Sequence, residues 1–178
     1  MINTGSNTGN CLTSSILQCL RGACIIAIGS HICVPFVPVP LTLQTLSVLF
    51  VVSHLGSKLG ACSALLYLLE GLAGIPVFAE FSAGPAVVFG PSGGYLMGFI
   101  PAAYLTGILL EQRANRTFLS VFLAGLAGEI ILLFIGFLQL SYFMGFADAY
   151  TFGIIPFILG DFLKLTIFAM ISSVSSKK

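Results

Sequence analysis

A chain of 178 residues with 57% hydrophobic and 7% charged side chains, a net charge of +1 and a mean hydropathy of +1.08 has too little polar surface to cover a water-soluble core. The composition sets it in a membrane as an integral, multi-pass protein, and the little chain left outside apolar runs excludes a soluble catalytic domain. Seven basic residues, scattered along the chain, exclude a nucleic-acid surface.

Six apolar runs are predicted as helices, at residues 16–34, 41–57, 59–75, 94–111, 117–140 and 156–173. Each is about 17 to 24 residues long, enough at about 1.5 Å per residue to cross a hydrocarbon core about 30 Å thick. The expected architecture is all-α, one membrane domain over residues 1–178 built as a bundle of six transmembrane helices. The first run is read as retained, because residues 1–10 carry no charge and no small-x-small cleavage pattern follows the run. It contains Ala23 and Ala27 in an AxxxA spacing that lets another helix approach closely, and internal packing is the default reading of that pair.

Five cysteines, Cys11, Cys19, Cys24, Cys33 and Cys62, form no CxxC pair. His31, Cys33 and His54 lack the partners of a closed ligand set, so neither a metal nor a cofactor is expected. After the first run, residues 34–40 hold three prolines, which exclude helix and favour a stiff extended wall or lid. The connection at 74–95 is long, apolar and aromatic with a single acid, Glu80. Its backbone polar groups cannot face lipid, so it is expected either to cap a pocket or to lie at the interface on Phe78, Phe81 and Phe89.

Two acids sit within later apolar runs. Glu70 falls toward the outer end of the third. Glu129 falls near the middle of the fifth, as a protonated hydrogen-bonding acid or a member of a polar cavity. In the last run Pro156 suits a first helical turn, and Asp161 and Lys164 follow on one face at i, i+3 spacing. Ionisable groups inside a membrane mark a site by default. A carboxylate that only accepts and an ammonium that only donates match a ligand with adjacent C=O and N–H groups, such as a ureido or amide. A plain ion pair fixing the last helix is the alternative.

In the six-span arrangement Arg21, Lys58, Arg113, Arg116, Lys177 and Lys178 share one side, opposite Glu80 and Asp148, which places both termini in the cytoplasm. A phosphate-binding GxxxxGK[ST] loop is absent, so ATP-driven work needs other subunits.

Four pieces in order resemble a known family: Val39-Pro40-Leu41-Thr42-Leu43-Gln44-Thr45-Leu46; Gly74-Ile75-Pro76-Val77-Phe78-Ala79; Gly90-Pro91-Ser92-Gly93-Gly94-Tyr95-Leu96-Met97-Gly98-Phe99; and Pro156-Phe157-Ile158-Leu159-Gly160-Asp161-Phe162-Leu163-Lys164. The chain resembles the BioY family, the biotin-specific substrate-binding (S) components of energy-coupling-factor vitamin importers of the bacterial cytoplasmic membrane. The resemblance implies a non-enzymatic protein that captures biotin from outside, with Asp161 and Lys164 on the ureido ring and further ligand contacts at Thr42, Gln44, Glu80 and Tyr95. It also implies docking of the Ala23 and Ala27 face on a transmembrane coupling protein attached to a pair of ATPases. The family usually has a glycine-rich or amide-bearing stretch where this chain has Glu80, which either accepts a ureido N–H or faces water.

Two other classes fit parts of the sequence. An importer of another vitamin or an ion-coupled carrier would use the same charged pair. An intramembrane serine protease would use the GxSG at Gly90-Pro91-Ser92-Gly93, but His31 and His54 both lie upstream of the serine, whereas rhomboid-like proteases, which that pattern resembles, place their base on a later helix.

Overall fold

The computed structural model describes residues 6–113 and 116–175, with side chains over 13–113 and 116–174. Helix α1, Ser6–His31, stops where the prolines begin. The proline segment is the loop of a small antiparallel hairpin in which β1, Cys33–Val34, pairs with β2, Leu41–Thr42. Its closure is extended by the Leu43 N–H, which donates to the Ile32 carbonyl at 3.0 Å.

Helix α2, Gln44–Leu72, contains the sharpest change of direction in the chain. Gly56 leaves helical geometry at φ 82°, ψ 179°, a conformation that favours a residue without Cβ. A Cβ on Gly60 would lie 3.1 Å from Val52 Cα, whereas residues eight apart on a straight helix are about 12 Å apart. The chain therefore doubles back at Gly56, and α2 is two limbs, residues 44–55 and 57–72. The expected second and third spans are these limbs, with their boundary two residues earlier than predicted. Among the described residues five stretches are long and apolar enough to cross a membrane when α2 counts once. The reversal makes six crossings.

The first limb is only about 18 Å long at 1.5 Å per residue, less than the hydrocarbon thickness. The hairpin before it and the connection after the second limb make up the difference. That connection holds a 3-10 turn at Ala79–Phe81 and a short helix α3, Pro85–Val88, and leads into α4, Gly93–Glu111. Phe78 and Val88 anchor it in the core.

Helix α5, Phe118–Met144, starts with Thr117 Oγ1 accepting from the Ser120 N–H and ends at Gly145, φ 81°. The short helix α6, Phe146–Gly153, was not expected and occupies what reads as a connection; α7, Ile155–Ser175, follows with Pro156 in its first turn. Between α4 and α5 the backbones touch: a Cβ on Gly94 would meet the Ile135 carbonyl at 2.6 Å. Two apolar clusters are stacked along the bundle. One, around Tyr67, Phe78, Tyr95, Phe99 and Phe157, surrounds a cavity; the other, around Leu49, Leu110, Val121, Leu165 and Phe168, fills the end where α2 reverses. Outward-facing Ile130, Phe134 and Leu138 on α5, and Leu159, Phe162 and Leu163 on α7, suit lipid.

Candidate functional site

A cavity of about 220 Å³ lies at the end of the bundle opposite Gly56. Its wall is built by the hairpin (Val39, Pro40, Thr42), the start of α2 (Gln44, Thr45), the 74–92 connection (Phe78, Ala79, Glu80, Ser82, Ser92), α4 (Tyr95, Leu96, Phe99), α5 (Leu132, Leu133) and α7 (Phe157, Lys164). Both unusual connections of the sequence thus line one cavity, as expected of a wall and a cap. The surroundings are largely aromatic and aliphatic with a few convergent polar groups, the usual make-up of a small-molecule site.

On α7, Phe157, Asp161 and Lys164 fall at i, i+4 and i+7, one face of a helix. Lys164 Nζ donates to Asp161 Oδ1 at 2.8 Å. Lys164 lines the cavity, whereas Asp161 is 3% exposed and stands behind it. The ammonium has three N–H groups and this contact uses one, which leaves donors for a guest. Asp161 therefore sets the direction of the ammonium from the rear.

Thr42, Gln44, Glu80 and Tyr95 all reach the same cavity. Thr42 Oγ1 also accepts from the Gln44 N–H at 3.3 Å and so shapes the step from hairpin to helix. The Gln44 side chain is buried with its Nε2 lacking an acceptor. Tyr95 donates its hydroxyl to the Gly153 carbonyl at 2.8 Å, and its ring stacks on Phe157 with centroids 5.5 Å apart. The tyrosine presents its ring to the cavity while its hydroxyl ties α4 to α6. Glu80 is exposed at the mouth, in left-handed backbone at φ 56°, and Phe81 shares that φ. The Phe81 ring lies on His31 at the end of α1, with centroids 4.3 Å apart and planes 18° apart, which fastens the turn that carries Glu80.

Other expected residues lie apart from the cavity. Ala23 is fully buried and Ala27 packs against the main core cluster, so in the isolated chain this pair serves internal packing. His54 bonds to the Phe50 carbonyl near the reversal of α2, far from His31 and Cys33 at the hairpin. Ser92 lines the cavity, and neither His31 nor His54 is among the residues of its wall. The side chain of Cys11 and both Lys177 and Lys178 lie outside the described residues. Sequence reasoning did not single out Phe99, Leu132, Leu133 or Phe157 as walls. For Phe157 a signal existed, its i, i+4, i+7 relation to the charged pair; the others read as ordinary core.

A sequence model of the BioY family matches residues 3–178. This chain belongs to the BioY family. It is 37% identical over 149 residues to the "Biotin transporter BioY" of Thermotoga maritima, covering 83% of this chain and 87% of that one. To the "Probable biotin transporter BioY" of Pyrococcus horikoshii it is 41% identical over 138 residues, 78% of this chain and 81% of the relative. The fold matches the crystal structure of the S-component for biotin from an ECF-type ABC transporter, with a TM-score of 0.81 and 25% identity over 100% of this chain and 95% of that chain. For this BioY chain, the family membership and the six-crossing bundle together establish a multi-pass membrane protein of a transporter family.

Proposed function

We propose that this protein captures biotin in the cavity between the hairpin, the 74–92 connection and α7, and imports it across the bacterial cytoplasmic membrane as the S component of an energy-coupling-factor transporter. The observation that carries the reading is Lys164, an ammonium braced by Asp161 and directed into a largely apolar cavity. Biotin's ureido carbonyl accepts from that ammonium, held in place by Asp161, and a ureido N–H meets an acceptor at Glu80. Tyr95, Phe157, Phe99 and Leu132 enclose the thiophane ring and chain. Gln44 supplies an amide and Thr42 a hydroxyl at the opposite wall.

Arg21 shares a pocket with His54 and Leu55, Lys58 follows Gly56, and Arg116 bonds to the Ser53 carbonyl, a cluster of positive charge that supports a reading with this end and both termini in the cytoplasm and the cavity outside. Work comes from a transmembrane coupling protein with its ATPase pair, docked along the outward face of α1 that carries Ile25 and Ile28, rather than on the buried Ala23 and half-buried Ala27.

The test is equilibrium binding of labelled biotin to the purified protein in detergent, with unlabelled vitamins as competitors. Saturable binding that other vitamins fail to displace is expected. Folded Lys164→Ala and Asp161→Asn variants should each bind at least about tenfold more weakly, a loss of about 1.4 kcal/mol. Absence of binding by folded wild type overturns the assignment, and displacement by a different vitamin redirects it.

A further inference from the structure

The charged pair has a third neighbour that the ligand-binding reading leaves unused. On α5, a Cβ on Gly125 would meet Leu165 Cδ2 of α7 at 2.8 Å, and two turns further on Leu132 and Leu133 share the cavity wall with Phe157. Glu129 lies between those contacts on the antiparallel helix, at the level of Asp161. The two carboxyls adjoin, with the Lys164 ammonium as the next charge. Glu129 is 4% exposed.

The acceptors in this place outnumber the donors. Both oxygens of Glu129 and Asp161 Oδ2 are buried without a hydrogen-bond partner. The nearby hydroxyls are committed, Thr106 to the Ala124 carbonyl and Tyr95 to the Gly153 carbonyl, and Lys164 spends its contact on Asp161 Oδ1. With both acids ionised the trio would carry a net negative charge deep in the membrane and set two acceptor-only groups against each other. A single proton removes the excess charge and supplies the missing donor.

We propose that Glu129 is a positioning residue for the ligand-binding pair, held protonated so that its hydroxyl donates to Asp161 Oδ2. Asp161 is then fixed at both oxygens, by Lys164 on one and Glu129 on the other, and the remaining N–H groups of the ammonium keep their aim into the cavity. The inference rests on the reading of Lys164 as a ligand contact, but the proton itself is observable without any ligand.

The experiment pairs infrared spectroscopy of the ligand-free protein with biotin titration. Wild type should show the carbonyl stretch of a protonated carboxyl that Glu129→Gln lacks, and its absence from the difference spectrum overturns the proposal. Glu129→Gln keeps an N–H donor toward Asp161 and should bind biotin within about threefold of wild type, while Glu129→Leu should bind about tenfold more weakly. Wild-type affinity in folded Glu129→Leu, or an equal loss in both variants, overturns the positioning role. If Glu129→Leu fails to fold, the spectrum and affinity of Glu129→Gln decide. A wild type that shows the band yet binds no biotin sinks the functional reading and leaves the proton in place.

Discussion

The two ends of the bundle treat polar groups in opposite ways. Where α2 reverses, they are paired: Glu111 accepts from the Ser57 N–H at 2.6 Å and from its hydroxyl at 2.9 Å, and Arg116 donates to the Ser53 carbonyl at 2.9 Å. A carboxylate from α4 thereby caps the second limb of α2, and a guanidinium closes the end of the first. Around the cavity more polar atoms are unpaired: Gln44 Nε2, Tyr67 Oη, His31 Nδ1 and Asp161 Oδ2 are buried without a partner, whereas toward the other end, among the described residues, Ser172 Oγ is. Buried polar atoms are costly to leave unmet, so the paired groups at the reversal hold the fold, while the cavity end gathers polar groups with hydrogen-bonding capacity to spare.

That separation can be broken experimentally. The largest effect is expected from Glu111→Ala, which strips the buried Ser57 of its acceptor. Discounted for the exposure of the carboxylate, the loss should be about 1–2 kcal/mol of stability, seen as a lower melting temperature in detergent. The folded fraction should keep its biotin affinity within about twofold. A parallel loss of affinity would show that the ends are coupled. Tyr95→Phe comes next, since it keeps the ring on Phe157 but leaves the Gly153 carbonyl without its donor. A stability loss of about 1 kcal/mol is expected, with biotin binding weakened no more than about threefold. A much larger affinity loss would make the hydroxyl a ligand contact. Ser92→Ala is the smallest, with binding expected within about twofold of wild type. Proteolytic activity in the wild type that the alanine abolishes would replace transport by catalysis.

The charged pair was legible because Asp161 and Lys164 interrupt an apolar run, and Pro156 marked where their helix starts. Helix ends were placed to within a few residues for the same reason, apart from α1, whose ten residues before Ile16 include polar groups that hydropathy does not count as span. The separation of the second and third spans rested on Ser57 and Lys58; that a single glycine suffices for the reversal depends on Gly60 nesting against Val52, a contact invisible in one dimension. Helix α6 escaped because eight residues are too few to give a period of their own. Asp161 and Lys164 read as equivalent contacts, yet only the longer side chain reaches the cavity, the shorter being spent on bracing it. The pairing of Glu129 with Asp161 needed the register of two helices that no local pattern encodes. Cavity walls such as Phe99 and Leu132 use the same residue types as the core, so composition gave no way to tell them apart.

Glu80 and Phe81 hold consecutive left-handed backbone conformations, each costing an L-residue about 1–2 kcal/mol. Their relaxation is opposed by the Phe81 ring on His31, an aromatic contact worth about 0.5–1.5 kcal/mol beyond the area it buries, and by hydrogen bonds across the turn, where the Ser82 N–H and hydroxyl donate to the Ala79 carbonyl and the Phe78 N–H donates to the Ser82 carbonyl. Relaxing this turn would run with the backbone's own preference but against both the stacked ring and the Ser82 hydrogen bonds. Two strained residues at the rim of the cavity are thus kept in place by a few short-range contacts of comparable size.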